Sequence, residues 1–327
     1  MRGSGVYRWG ICGAVAALLF ILPARTETLS FARWLEDLRQ DALRHGISAA
    51  TLDKALSGIK PISRVIELDR KQPELTLTFD QYQRRVVPKS RVEKGKRKLR
   101  ENRALLEKIG KRYGVQPRFI VALWGIETDF GRITGGFPVI PALTTLAFDG
   151  RRGAYFRRQL LDALTILDQG HVDIANMVGS WAGAMGQCQF MPSSFLAYAV
   201  DFDGDGRKDI WNSKGDVFAS AANYLSRSGW RNDQTWGRAV KLPQIFDPDL
   251  ADLKLQKRLS EWQRMGVRKT NGGDLPKRDL MASVVLTGRP AGPAFVVYNN
   301  YRTILKWNRS TLFAVAVGSL ADRIEGG

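Results

Sequence analysis

Only two cysteines and two histidines occur among 327 residues. No zinc finger, RRM or other nucleic-acid module is visible. If a leader carrying Cys12 is removed, Cys188 has no partner for an intrachain disulfide. Stability must then come from an apolar core, for which 44% hydrophobic residues suffice, and the length allows two or three lobes. Acidic residues are in the minority as well: 32 Asp and Glu face 50 Lys and Arg, a formal charge of +18. That excess points to an anionic partner, whether nucleic acid, a membrane surface or an anionic cell-wall polymer. No Gly-Lys-Ser/Thr ending marks a phosphate-binding loop. No repeat or low-complexity segment appears either. The apolar run from Trp9 to Leu22 is too short and too early for an ordinary transmembrane span. With Arg2 and Arg8 before it and Pro23 and Ala24 after it, the run fits a secretory signal peptide, or an anchor if it stays uncleaved. Cys12 stands at its start and not its end, which argues against a lipid-anchored cysteine. Export counts against nucleic acid.

What is present centres on Phe119 to Gly131, FIVALWGIETDFG. At 3.6 residues per turn, Glu127 has Ile120, Leu123, Trp124, Phe130 and Gly131 as neighbours, all apolar. Asp129 projects to nearly the opposite side. A single carboxylate in an apolar stripe loses hydration when charged, so its pKa should rise and it could hold a proton near neutrality, as a general acid must. A helix-end glutamate reaching back to solvent past Trp124 explains this stretch equally well. Pro117 starts the helix and Gly131 ends it, with Gly135, Gly136, Pro138 and Pro141 in a loop beyond.

In GSWAGAMGQCQFMPSS, residues 179–194, Gly183 and Gly186 let backbone approach something closely, and Ser180, Gln187 and Gln189 supply the neutral groups that suit a sugar. A tight turn before a helix starting at Pro192 is the simpler reading. Next, Asp201, Asp203, Asp205 and Gly206 match the opening of an EF-hand calcium loop. Its twelfth position is Asn212 instead of glutamate, so Asp216 would have to close the site while capping the next helix. Asx-turns are the alternative. Three acids at alternate positions repel one another unless a cation offsets them, which favours metal.

Elsewhere, residues 29–60 read as two amphipathic helices with Phe31, Trp34, Leu35 and Leu38 in the core. Residues 63–87 are expected to be an extended linker ending near Pro88, followed by one long basic helix to about Arg112. Residues 148–167 form a helix with Tyr155, Phe156, Leu160, Leu164 and Leu167 inward. Residues 238–297 make a small β-rich lobe with one helix, and a last helix runs from about Ser310 to Arg323.

The order WGIETDFG, GSWAGAMGQCQFMPSS, DFDGDG and a late WNRST before the final apolar helix resembles the membrane-bound lytic murein transglycosylase B family over nearly all of the chain after the leader. The resemblance implies a mainly α (α+β) fold. A lysozyme-like helical core would carry an N-terminal helical lobe and a small β-rich inserted lobe. The division expected is a signal peptide or anchor at 1–26, the helical lobe at 27–110, the catalytic core with its EF-hand-like loop at 111–237, the β-rich lobe at 238–300 and a completing C-terminal helix at 301–327. It implies cleavage of the β-1,4 bond between N-acetylmuramic acid and N-acetylglucosamine in peptidoglycan, with closure of a 1,6-anhydro ring and no water consumed, Glu127 acting as acid and then as base. By motif position, Ser180, Gln189, Tyr224 and Asn308 resemble substrate-binding residues. The family usually has tyrosine before that asparagine, whereas this chain has Trp307. Asp201, Asp203, Asp205 and Asp216, with the Arg207 carbonyl, are the implied ligands of a structural calcium, and no cofactor is required for the chemistry. The expected partner is the glycan strand of peptidoglycan and not nucleic acid. The location expected is the periplasm, with membrane contact only through an uncleaved leader and the chain acting as a monomer. A hydrolytic lysozyme-type muramidase and a non-catalytic peptidoglycan-binding scaffold are the competing readings.

Overall fold

The computed structural model describes residues 30–71, 77–288 and 292–326; the expected leader at 1–26 lies outside the described residues. The described residues begin with two helices, α1 (Phe31–Arg44) and α2 (Ala49–Leu56), each started by a serine whose hydroxyl accepts a first-turn N–H: Ser30 from Arg33 and Ser48 from Thr51. Leu38, Ala42 and Leu52 are fully buried. Trp34 and Leu35 pack half-buried against the core as expected, whereas Phe31, half-buried, meets the Phe148 ring edge-on at 5.1 Å, as Trp34 does at 5.7 Å.

The expected linker is not one. Residues 63–87 contain α3 (Ser63–Arg70) and α4 (Phe79–Val86), with 72–76 outside the described residues. Thr78 and Gln81 form a reciprocal capping box, a local signal that starts α4. Asp69, at the end of α3, is 2% exposed and is held by Arg151 and Arg152. Those arginines hold the Asp69 carboxyl below the usual range, their hydrogen bonds outweighing the opposing effect of burial.

The basic stretch is likewise two helices, α5 (Lys89–Glu101) and α6 (Arg103–Tyr113), broken at Asn102, whose side-chain amide donates to the Lys98 carbonyl. Helix α7 (Pro117–Thr128) is buried from Phe119 to Gly125. A helix apolar on all sides belongs at the centre of a core. Around it lie a two-residue strand β1 (Phe137–Pro138), then α8 (Val139–Asp149) and α9 (Gly153–Asp168) as an antiparallel pair. Helix α8 replaces part of the expected loop, and Pro141 lies in its first turn, where a missing N–H costs nothing. On α9, Phe156, Leu160, Leu164 and Leu167 point inward as expected, but Tyr155 is 39% exposed. Strand β2 (Val178–Gly179) pairs with β1, and α10 (Pro192–Tyr198) and α11 (Lys214–Arg227) come next.

The β-rich lobe is a five-stranded antiparallel sheet built from β3 (Gly237–Lys241), β4 (Lys257–Arg258), β5 (Arg268–Lys269), β6 (Met281–Leu286) and β7 (Ala294–Val297), in the order β4-β6-β7-β3-β5. It also contains α12 (Leu259–Arg264). Alternation sorts the side chains: Val284 and Val296 face the lobe's own cluster around Trp262, whereas Val285, Phe295 and Val297 join the main core. Both faces are covered, so β6 and β7 read as continuous apolar runs. The chain then returns through α13 (Asn299–Trp307) and α14 (Thr311–Glu325), the latter packed along α7 and α5. Gly318 on α14 touches the flat of Trp236, where a Cβ would lie 2.1 Å from the ring. The molecule is thus mainly helical, with a helical lobe before its core and a small sheet lobe inserted in it.

Candidate functional site

Glu127 lies in the last turn of α7, and the chain beyond it does not continue as the helix that the spacing predicts. The helix ends at Thr128, because Asp129 and Phe130 both take left-handed backbone, φ 49° and 61°. Among the described residues only Gln189 joins them as a non-glycine with positive φ. Such strain persists where surrounding structure over-determines it. Here the buried Thr128 hydroxyl contacts the carbonyls of Trp124 and Gln187 and accepts from Gly131 N–H. Phe130 folds back edge-on against Trp124, at 5.5 Å. It closes over Gly125, where a Cβ would lie 2.7 Å from its ring. Phe130 is thus placed by reversal of the chain and not by periodicity, and neither it nor Gly131 lines the recess of Glu127.

Asp129 turns away, as expected, to Arg132 (2.6 Å), Lys94 (3.1 Å) and Arg91 (3.8 Å). Burial opposes ionisation of Asp129, but Arg132 and Lys94 outweigh it and lower its pKa. Glu127 has no such cation among the described residues. Its recess is walled by Ile120, Leu123, Trp124, Cys188, Phe218 and Trp307, and leaves a cavity of about 10 Å3, room for one water at most. By surface area Glu127 is half-buried, yet its carboxyl end is desolvated; burial raises its pKa from 4.5 to about 7, against the opposing hydrogen bond from Trp307. That bond runs from Trp307 Nε1 to Glu127 Oε1 at 2.7 Å. Cys188, buried beside it, donates its thiol to the Val217 carbonyl. Desolvation first, and then the nearby Glu127 charge, drive the thiol's pKa far upward.

The glycine-rich segment is a turn ahead of a helix starting at Pro192, and its polar side chains tie it down. Gln187 accepts from Trp124 Nε1 and donates to the Trp211 carbonyl, both at 2.7 Å, so it clamps the turn to α7. Ser180 accepts from Ala184 N–H at 3.0 Å. Gln189 donates to the carbonyls of Thr134 and Gly186, each at 3.0 Å. Gly186 takes positive φ with its α-carbon pressed to Ile210, where a Cβ would come within 2.7 Å. Tyr224 donates its hydroxyl to the Lys306 carbonyl at 2.6 Å and sets its ring edge-on to Trp307 at 4.7 Å. Asn308 is exposed just past α13, its side-chain oxygen accepting from Ser310 N–H.

The aspartates divide into two groups. Carboxylate oxygens of Asp201, Asp203 and Asp205 lie within 4.8 Å of one another. Asp201 accepts from the Gly204 and Gly206 N–H groups, and Asp205 from Arg207 N–H. Asp216 does not join them. It is fully buried and accepts from Phe202 N–H (2.8 Å) and Asp209 N–H (2.7 Å), joining both limbs of the loop to the first turn of α11. The triplet is an oxygen-only donor set of the kind hard cations take. Of the five implied ligands, Asp216 has its oxygens on backbone N–H groups, and Arg207 is seen only as a donor to Asp205.

The pattern of the transglycosylase SLT domain matches residues 30–322. The chain belongs to the transglycosylase SLT domain family. This SLT domain is 31% identical over 297 residues to membrane-bound lytic murein transglycosylase B of Escherichia coli K12, covering 86% of this chain and 79% of that one. Its fold matches that of SltB3 from Pseudomonas aeruginosa in complex with NAG-anhNAM-pentapeptide, with a TM-score of 0.88 and 47% identity over 91% of this chain and 80% of that one. It also matches E. coli lytic transglycosylase Slt35 in complex with calcium, with a TM-score of 0.75 and 29% identity over 90% of this chain and 92% of that one.

Within this SLT domain, the roles of two residues lining the glutamate's recess escape sequence reasoning. Gln187 reads as a sugar-facing group and is a clamp. Trp307 reads only as a departure from the family pattern, and it is the hydrogen-bond donor to Glu127 from 180 residues away. The single available signal is the departure itself.

Proposed function

We propose that this SLT domain is a peptidoglycan lytic transglycosylase that cleaves the β-1,4 bond between N-acetylmuramic acid and N-acetylglucosamine, with Glu127 as the one catalytic acid and base. The observation that carries this is a lone carboxyl in an apolar recess, raised to about 7, while Asp129, just past the end of α7, is turned onto Arg132 and Lys94. Protonated Glu127 gives its proton to the glycosidic oxygen as the bond to C1 breaks. The resulting carboxylate then takes the proton of the C6 hydroxyl as that oxygen bonds to C1. The acid is restored, the product carries a 1,6-anhydro ring, and no water is consumed. An ordinary glycosidase pairs two carboxyl groups roughly 5 to 10 Å apart across the sugar, and none of the residues walling Glu127 supplies the second.

Ser180, Gln189, Tyr224 and Asn308 line the glycan path in this reading. Tyr224 presents ring surface, since its hydroxyl is engaged by Lys306. The core over 111–237, completed by 301–327, carries the acid between the lobes at 27–110 and 238–300. The excess positive charge holds a polymer bearing muramic and peptide carboxylates. The leader at 1–26 exports the chain to the periplasm; a relative named as membrane-bound agrees with an anchored form, and no helix of the described residues is long and apolar enough to cross a membrane. Asp201, Asp203 and Asp205 hold a structural calcium, a reading supported by their convergence and by the E. coli relative in complex with calcium. When bound, it offsets the triplet's repulsion and takes no part in bond cleavage.

Mass spectrometry of digested peptidoglycan tests the chemistry. Muropeptides ending in 1,6-anhydromuramic acid are expected. Reducing ends that have gained water would establish a hydrolytic muramidase instead, and intact glycan would leave a binding scaffold.

A further inference from the structure

Trp307 is held from several sides. Its ring meets Tyr224 at 4.7 Å and Phe190 at 5.2 Å. Tyr224 also fastens the backbone next to it, through the hydrogen bond from its hydroxyl to the Lys306 carbonyl, and Lys306 itself donates to the Ser228 carbonyl at 2.7 Å. The end of α13 is thus pinned to α11 and the turn beyond it. The one polar atom on this immobilised indole points at Glu127 Oε1, 2.7 Å away.

An indole N–H donates and never accepts. The oxygen it faces must therefore be an acceptor in both charge states of the carboxyl: a carboxylate oxygen when Glu127 is ionised and the carbonyl oxygen when it is protonated. The acid proton is left to the other oxygen. We infer that Trp307 is the positioning residue of the reaction, fixing the Glu127 carboxyl so that Oε2 alone carries, releases and recovers the proton. Rotation of the carboxyl between the two half-reactions is then unnecessary, because the hydrogen bond that orients it survives both. A donor-only partner is also the kind that strengthens when the carboxyl ionises, so Trp307 limits how far burial can raise the acid.

Among the described residues no ion pair competes for this control. Helix α7 turns Ile120 and Trp124 to Glu127, α11 turns Val217 and Phe218, and the glycine-rich turn brings Cys188, the one other titratable group in the recess, with its thiol kept neutral.

The inference rests on the transglycosylase reading for its chemistry but not for its first test. Glu127 is titrated in the ligand-free protein by the carbon-13 shift of its side-chain carboxyl. Two variants are compared with the parent: Trp307→Phe, and the full chain carrying benzothienylalanine at 307, an isostere with sulfur in place of the N–H. Loss of the donor should raise the midpoint by about one to two pH units in both. The upper limb of the kcat profile should move with it, kcat falling on the order of 10- to 100-fold while KM changes little. If Trp307→Phe fails to fold, the isostere decides. A midpoint and profile in the isosteric variant that coincide with the parent would overturn the inference. Parent enzyme that forms no 1,6-anhydro ends would overturn the transglycosylase reading, while the titration would still report on the hydrogen bond.

Discussion

Replacing the proposed catalytic acid should make the protein more stable at alkaline pH, and the size of the effect is set by its burial. Glu127 titrates at about 7 in the fold against 4.5 when unperturbed. A folded-state pKa above the unfolded value means that the unfolded chain loses its proton first as pH rises. The cost to folding is absent below about 4.5, grows between 4.5 and 7, and is complete above that. At about 1.4 kcal/mol per unit, the difference of about 2.5 units amounts to roughly 3 kcal/mol. Glu127→Gln removes the ionisation and keeps an oxygen for the Trp307 N–H. Its new amide N–H groups have no assured partner in the apolar recess, which adds a cost of about 1–2 kcal/mol, but one independent of pH. Urea unfolding of parent and variant at pH 4, 6, 7 and 9 isolates the effect, since titrating groups that do not sense the Glu127 charge cancel in the difference and the neighbouring Cys188 thiol stays neutral. The variant should gain about 3 kcal/mol on the parent between pH 4 and pH 9, with most of the change between 5 and 7, while activity falls to background. A difference that stays constant across the series would refute the claim that Glu127 is desolvated in the native state. Parent activity should in turn decline above about 7 as the acid loses its proton.

Asp216→Ala should cost about 3 kcal/mol or more in chemical unfolding, because two buried N–H groups, on Phe202 and Asp209, lose a charged acceptor; stability equal to the parent would show that the loop has other fastenings. Calcium at a hundredfold excess over Kd should stabilise the fold by about 2.7 kcal/mol, with magnesium doing less, and Asp203→Ala should abolish the response. Melting curves indifferent to both calcium and chelator would reduce the triplet to a set of turns. Gly318→Ala should destabilise by about 1–3 kcal/mol in thermal melts, because the added methyl meets the Trp236 ring, itself fixed by its bond to Asp322; an unchanged melting temperature would mean that α14 can shift away.

The sequence by itself determined several of the helices, because a helix that buries one face shows a 3.6-residue period, while their assembly into a core followed from the family resemblance. It singled out Glu127 as a candidate, because one acid in the run FIVALWGIETDFG has no other polar residue on its face, while a glutamate reaching back to solvent fitted the same pattern. The sheet lobe was legible from its short apolar runs, and the final helix from Ser310 onward. The stretch that reads as a linker and folds as α3 and α4 was legible only in part: Thr78 and Gln81 spell a local capping box ahead of α4, whereas the end of α3 is fastened by Asp69 meeting Arg151 and Arg152 more than 80 residues on. Tertiary structure alone decided the site's details. The left-handed pair Asp129 and Phe130 is held by packing against Trp124 and Gly125, and a local pattern cannot announce a conformation that it does not itself favour. Asp216 lies at a ligand-like spacing from the aspartate triplet, yet its oxygens satisfy backbone that only the folded loop presents. Trp307 reaches Glu127 only because α13 is pinned to α11 by Tyr224 and Lys306. Periodicity reports which way a residue faces within its own element, and the meeting of residues 180 apart depends on how those elements pack.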